Sequence, residues 1–291
     1  MKTNCPLCGS SSDREVFRLF RPKQTQASGR PTESLYGRAG RLLRCEACEL
    51  VRQDAPVDAH YEEAEDPEYL VEEEGLRHTF HRNLLDIARY RPPPGRLLDV
   101  GCGPGLLLEE AAGLGWTASG VEPSQWAVDK AIQRGLDVVR GTTDTADLRP
   151  GSFDVIVAND VVEHVPDPLA FARRLHELLS PQGVVYLCTP DVSSLVARSL
   201  RRWWWSVLPG HIFYFSPATL ARVLETSGFR VLSSERHPKT FSLEYYAGRF
   251  VGYSQTLGRV LRMATKPLGG PRRLVTPNFR DRMAMIAVRE S

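Results

Sequence analysis

The sequence predicts an α/β protein, a parallel sheet flanked by helices, with a small cysteine-bearing unit ahead of it. Three observations predict this. From residue 96 onward, short apolar runs alternate with helical stretches of ten to fifteen residues, the pattern of repeated strand–helix–strand units. The first of those runs, RLLDVGCGPG, passes through an aspartate into three glycines at every second position before a helix begins. Near the N-terminus, two C-x2-C pairs stand 36 residues apart.

The bulk numbers fit this reading and exclude others. A chain of 291 residues has room for one large domain and a small one. Hydrophobic content of 42% and charged content of 25% are ordinary for a globular chain. A net charge of +2 argues neither for nor against a nucleic-acid partner. No apolar run approaches the ~18 residues that a membrane span needs. The opening MKTNCPLCGS lacks the apolar stretch of a secretory signal, so a cytoplasmic location is expected.

The elements follow in order. Residues 1–55 form the cysteine-bearing unit, whose polar middle, RPKQTQASGRPTES, cannot build a core. Residues 56–95 form a connector and a helix. Positions 58–74 hold nine acids and no lysine or arginine, which predicts a solvated helix or linker with Tyr61 and Tyr69 as its large rings. Positions 75–90 place Leu76, Phe80, Leu84 and Ile87 on one helical face before RPPPG stops the helix. Residues 96–291 form the main domain. RLLDVG, WTASGVE, LDVVRG, SFDVIVAND and GVVYLCTP read as strands, with helices at 104–114, 124–134 and 167–179. Two later strands are expected at 229–237 and 283–290. Residues 255–291 hold eight arginines and lysines against two acids, which reads as a solvated basic face.

Ligands of open α/β sheets bind at the carboxyl ends of the strands. Glycines there let the backbone come close and adopt conformations closed to other residues. An acid ending the next strand can hold ribose hydroxyls, and Glu122 stands there, 23 residues after Asp99. The site therefore suits a nucleoside. A dinucleotide turn reads G-x-G-x-x-G, but Leu106 occupies the sixth position, which disfavours a nicotinamide cofactor and an oxidoreductase. The D-x-G-x-G-x-G pattern instead resembles the class I S-adenosylmethionine-dependent methyltransferases. The resemblance covers about residues 75–235. LLDVGCGPG looks like the family's first motif and GVEPS like its second. ANDVVEHVPDP and LLSPQGVVYLCTPD look like the ends of its fourth strand and the approach to its fifth.

The resemblance implies a Rossmann-like sheet of seven strands and S-adenosylmethionine as cofactor. It implies that Asp99, Gly101, Cys102, Gly103, Glu122, Pro123, Thr142, Thr143 and Asp160 form the cofactor site, with Asp160 beside the methionine part. Asp144 follows the two threonines, and which of the three meets the adenine is left open. Cys102 and Cys188, taken alone, read as small buried residues. A stretch of about 191–260 is expected to cover the acceptor.

His164 and His211 are the candidate bases, because an imidazole titrates near neutral pH. For Glu163 and His164 the competing reading is a brace for the loop before Pro166. For His211, which precedes three aromatics in HIFYFSP, it is a packed loop. RRWWWSV sets three indoles in a row. Two suit the core and one suits an apolar acceptor pocket or a membrane-facing surface. Tyr214, Tyr245 and Tyr246 are weaker candidates. Ser216 and Pro217 read as the start of a helix.

Cys5, Cys8, Cys45 and Cys48 can supply four thiolates to one tetrahedral zinc. Such a closed site is structural, and it explains how so short and polar a segment folds. Disulfides fit poorly with a chain that shows no export signal. The basic side chains of this unit, among them Arg14, Arg18, Arg21, Lys23, Arg30, Arg38, Arg41 and Arg44, admit a phosphate-bearing partner, and with it an RNA methyltransferase. Few aromatics and the acidic stretch that follows argue against that. The layout resembles small-molecule methyltransferases of sugar and natural-product pathways, so the expected acceptor is a sugar, lipid-linked or secondary metabolite, methylated on oxygen or carbon. The sequence carries no signal for oligomeric state.

Overall fold

A computed structural model describes residues 4–17, 41–54, 56, 60–250, 254, 256, 260, 263, 270 and 272–290. The polar middle of the cysteine unit lies outside these residues. In chain order the strands are β1 (Asp13–Phe17), β2 (Leu42–Cys45), β3 (Val51–Gln53), β4 (Arg96–Val100), β5 (Thr117–Glu122), β6 (Val138–Arg140), β7 (Phe153–Asn159), β8 (Leu179–Pro190), β9 (Phe213–Tyr214), β10 (Phe229–Arg236), β11 (Phe241–Ser242), β12 (Leu274–Val275) and β13 (Arg282–Arg289). The helices are α1 (Pro67–Val71), α2 (Glu73–Ala88), α3 (Leu106–Gly113), α4 (Gln125–Gln133), α5 (Pro168–Leu178), α6 (Leu195–Leu200), α7 (Pro217–Thr226) and α8 (Leu243–Arg249).

The main sheet has seven strands in the order β10-β13-β8-β7-β4-β5-β6. Strands β8, β7, β4, β5 and β6 are parallel, and β13 enters antiparallel between β8 and β10. The chain therefore rises from the centre to one edge, returns, and fills the other half. The carboxyl ends of β4 and β7 fall side by side at that reversal, where ligands of such sheets sit. The central strands are buried on both faces, which is why they read as continuous apolar runs.

Local chemistry sets the helix starts. The side chains of Ser124, Asp167 and Ser216 cap α4, α5 and α7 by accepting backbone N–H bonds. Pro168 and Pro217 occupy the first turns of α5 and α7, and Ser216 with Thr219 closes a reciprocal cap. Helix α2 crosses α3 and is tied down by Arg77 and Arg134, which share Glu73 and Glu109.

Three features differ from the sequence reading. The acidic stretch is not simply solvated: Glu72 is buried and accepts two bonds from the backbone and hydroxyl of Ser242. The span 191–260 is interrupted by β10, an edge strand of the main sheet, and by α7, which packs against it. The cysteine unit forms a four-stranded antiparallel sheet, β1-β2-β3-β9, whose last strand comes from residues 213–214. Cys5, Cys45, Cys48 and Leu50 pack in the same apolar cluster as Phe213, Phe215 and Leu220 of the main domain.

Candidate active site

A cavity of about 750 Å³ opens at the carboxyl ends of β4, β5 and β7. All nine residues expected to hold the cofactor, and both candidate histidines, line it. The β4–α3 turn forms its floor. Gly101 (φ 70°), Gly103 (φ 52°) and Gly105 (φ 85°) all take the left-handed backbone. They do different work. A Cβ on Gly103 would meet nothing within 4 Å, so this glycine leaves free space over the turn. A Cβ on Gly105 would stand 2.2 Å from the Leu136 side chain, so this one permits close helix packing.

Glu122 ends β5 and is buried. Its two oxygens accept the backbone N–H groups of Gly103 and Ser124, each at 2.9 Å. A carboxylate has about four acceptor positions, so two remain for ribose hydroxyls. Burial raises its pKa, and it raises that of Asp99 well above the ordinary range, with Glu122 adding to the effect. Tyr69, which the sequence marked only as a ring in an acidic stretch, covers this pair. Burial and then the charges of Asp99 and Glu122 push its phenol up. Cys102 is buried under β5, where a side chain on Gly120 would strike its sulfur. Beyond β6, Thr143 is buried, whereas Thr142 is exposed and accepts the Asp144 backbone N–H.

Asp160 follows β7 with φ 57°, a left-handed conformation uncommon for a residue with a side chain. Its N–H bonds the Cys188 carbonyl at 2.9 Å, and its carboxylate is paired with both Lys239 and Arg282. Burial lowers the Arg282 pKa to about 10. Neither cation was visible as a site residue in the sequence, since both arrive from segments more than 75 positions away.

The other end of the cavity holds Glu163, His164 and His211, whose ligating atoms lie within 4.8 Å of one another. Both carboxyl oxygens of Glu163 are buried with the Thr189 hydroxyl beside them, and burial raises its pKa to about 7. His164 Nδ1 lies 2.9 Å from the Gly210 carbonyl and 2.6 Å from the Tyr61 hydroxyl. The Gly210 carbonyl only accepts and so favours the Nδ1–H tautomer, in which Nε2 keeps its lone pair, while the Tyr61 hydroxyl can accept from that N–H or donate to a bare Nδ1. The His211 ring meets the His164 ring edge-on, centroids 4.6 Å apart, and its buried Nδ1 has no partner among the described residues. Burial lowers His164 to about 4, and burial with the neighbouring His164 lowers His211 well below its ordinary value. Both imidazoles are neutral and can accept protons.

The tryptophans separate as their chemistry requires. Trp204 is buried with its Nε1 donating to Asp281 at 2.9 Å, Trp205 lines the cavity, and Trp203 is 49% exposed. Tyr245 and Tyr246 also line the cavity, stacked on or edge-on to Phe241.

The two cysteine pairs meet. Cys5 and Cys48 sulfurs lie 3.5 Å apart, as do those of Cys8 and Cys45, and all four fall within 4.8 Å. None is in a disulfide. The knuckles repeat each other: Cys5 N–H bonds the Ser10 carbonyl and Cys45 N–H the Leu50 carbonyl, while Gly9 (φ 73°) and Glu49 (φ 67°) take the same left-handed turn.

A family model described as a methyltransferase domain matches residues 73–234, more than half of the chain. The chain belongs to the methyltransferase-domain family. A ubiquinone biosynthesis O-methyltransferase of Xanthomonas campestris pv. campestris (strain B100) is 39% identical over 109 residues, covering 35% of this chain and 46% of that protein. One of the same description from Thiobacillus denitrificans is 33% identical over 147 residues, covering 46% of this chain and 63% of that protein. The chain thus spans about half the length of these curated relatives. A SAM dependent methyltransferase from Archaeoglobus fulgidus superposes with a TM-score of 0.52 at 21% identity, covering 77% of this chain and 100% of that one. A putative methyltransferase from Bacillus halodurans gives 0.50 at 16%, covering 72% and 99%. These likenesses show that this methyltransferase-family chain has the class I fold. Among its described residues no helix is long and apolar enough to cross a membrane.

Proposed function

We propose that the chain transfers a methyl group from S-adenosylmethionine to an oxygen of a small-molecule acceptor, and that its four cysteines hold a structural zinc. The observation that carries the first reading is one cavity with two chemically distinct ends. At one end, Glu122 and the open space above Gly103 fit a ribose and its attached sulfur chain. At the other, neutral His164 and His211 stand beside Glu163 under a wall of Trp205, Tyr245 and Tyr246. The bound cofactor would supply a methyl on a cationic sulfur, which leaves by in-line displacement.

The chain's own residues then have three tasks. Glu122 fixes the nucleoside. The aromatic wall holds the acceptor and excludes water. His164 Nε2 or His211 Nδ1 takes the acceptor's hydroxyl proton as the oxygen attacks, the ordinary work of a general base. The O-methyltransferase relatives favour oxygen as the methylated atom. For the cysteines, tetrahedral zinc–thiolate bonds of about 2.3 Å put sulfurs about 3.8 Å apart, close to the spacing of this cluster. A four-thiolate site has no open position, so its role would be structural.

Methyl-labelled S-adenosylmethionine, incubated with the protein and a panel of catechols, phenols and sugars, tests this. Label recovered on an acceptor oxygen is the expected result. Label transferred to RNA and to none of these would overturn the small-molecule reading.

A further inference from the structure

Gln53 is the last residue of β3, in the cysteine-bearing unit, and it is 3% exposed. Its side-chain amide nitrogen faces the main domain. Nε2 lies 3.0 Å from the Leu208 carbonyl, 3.2 Å from that of Pro209 and 2.6 Å from that of His211. Its backbone N–H donates to Ile212 at 2.9 Å. Carbonyls only accept, so the amide nitrogen must point toward them. Reversing the amide would set an oxygen against three oxygens.

The loop so held is the one that shapes the acceptor end of the cavity. Gly210, between the tethered carbonyls, offers its carbonyl 2.9 Å from His164 Nδ1 and so favours the Nδ1–H form, the one that leaves Nε2 free, and the Tyr61 hydroxyl shares that nitrogen at 2.6 Å. On its far side the Glu163 carbonyl accepts from Ile212 and Phe213 at 2.8 and 3.1 Å. The loop is therefore stitched to β3 on one side and to the Glu163–His164 segment on the other. Its centre carries His211.

We propose that Gln53 is a positioning residue: it holds the 208–211 loop so that Gly210 sets the His164 tautomer and His211 faces the cavity. The N-terminal unit is then a working part of the acceptor end rather than an appended binding module. This rests on the reading of that end as the place where the acceptor is deprotonated.

The requirement is for donors, not shape, and that separates positioning from packing. Gln53→Glu keeps the outline and offers acceptors to three carbonyls. Gln53→Lys changes the outline and offers three N–H donors. The test uses the full-length, zinc-loaded chain with ¹⁵N-labelled histidine, His164→Gln serving to assign the His164 signals. Ring ¹⁵N shifts report the tautomer, and calorimetry reports binding of S-adenosylhomocysteine. The expected result is a single Nδ1–H tautomer at His164 in the wild type and in Gln53→Lys. It should be lost in Gln53→Glu, with S-adenosylhomocysteine binding unchanged in all three. Arg44→Ala, which removes a surface pair with Glu49, should resemble the wild type. A His164 tautomer preserved in Gln53→Glu, or lost equally in the folded Lys and Glu variants, would overturn the proposal. Should Gln53→Glu fail to fold, Gln53→Met is the donor-free variant and the same outcomes apply. Absence of S-adenosylhomocysteine binding in the wild type would instead sink the methyl-transfer reading and leave the His164 result standing.

Discussion

Glu163 buries its carboxyl in the cavity wall, and that makes a prediction about acid and base. Burial raises its pKa from 4.5 to about 7, so the folded protein binds this proton more tightly than the unfolded chain does. Its contribution to stability is complete below the unfolded value and is lost as pH rises from about 4.5 through about 7. His164 runs the opposite way: lowered from 6.5 to about 4, it favours the fold above 6.5 and loses that contribution as pH falls. The substitution Glu163→Gln removes the first term and leaves the second. Denaturant unfolding at pH 5 and pH 8 should therefore show the variant gaining on the wild type by on the order of 3 kcal/mol. An equal gap at both pH values would mean that Glu163 is not a buried titrating acid. Glu122 makes a different prediction. Replaced by Gln, it loses two charge-assisted acceptors for ribose hydroxyls, and S-adenosylhomocysteine binding should weaken by roughly 10- to 100-fold with the circular dichroism spectrum unchanged.

At the scale of elements, the β4–α3 turn separates glycines that serve a ligand from glycines that serve the fold. Gly103→Ala forces a side chain into the left-handed region, costing about 1–2 kcal/mol, and puts its methyl in open cavity space. It should bind S-adenosylhomocysteine more weakly at a modest loss of melting temperature. Gly105→Ala meets the same strain and also drives a methyl into Leu136, so it should lose more stability than Gly103→Ala. Equal stabilities for the two would contradict this division. These strands and helices were legible in the sequence because each carries its own signal: buried parallel strands are apolar throughout, and Ser124, Asp167 and Ser216 announce their helices. The pairing of β3 with β9 was not legible. Two residues show no periodicity, and Gln53 finds its partners more than 150 positions away. Lys239 and Arg282 were hidden for the same reason, since an ion pair with Asp160 leaves no mark on local spacing. Glu72 and Asp66 were concealed by their neighbours, two buried acids in a stretch of nine that read as solvated.

Across the whole molecule, the cysteine unit shares an apolar cluster with the main domain and takes strand β9 from it, so the proposed zinc should stabilise more than its own knuckles. Metal analysis should find about one zinc per chain, and stripping it with a chelator should lower the melting temperature of the whole protein in one cooperative step. A small separate transition, with the sheet's melting unchanged, would show the unit to be independent. The cavity over the glycine turn is proposed to hold S-adenosylmethionine. Thermal unfolding of the zinc-loaded protein with S-adenosylmethionine, S-adenosylhomocysteine or NAD tests it most directly. A ligand at about 100 times its dissociation constant stabilises a fold by about 2.7 kcal/mol. A clear upward shift is expected with both sulfur nucleosides and none with NAD. A shift with NAD alone, or with none of the three, would contradict it.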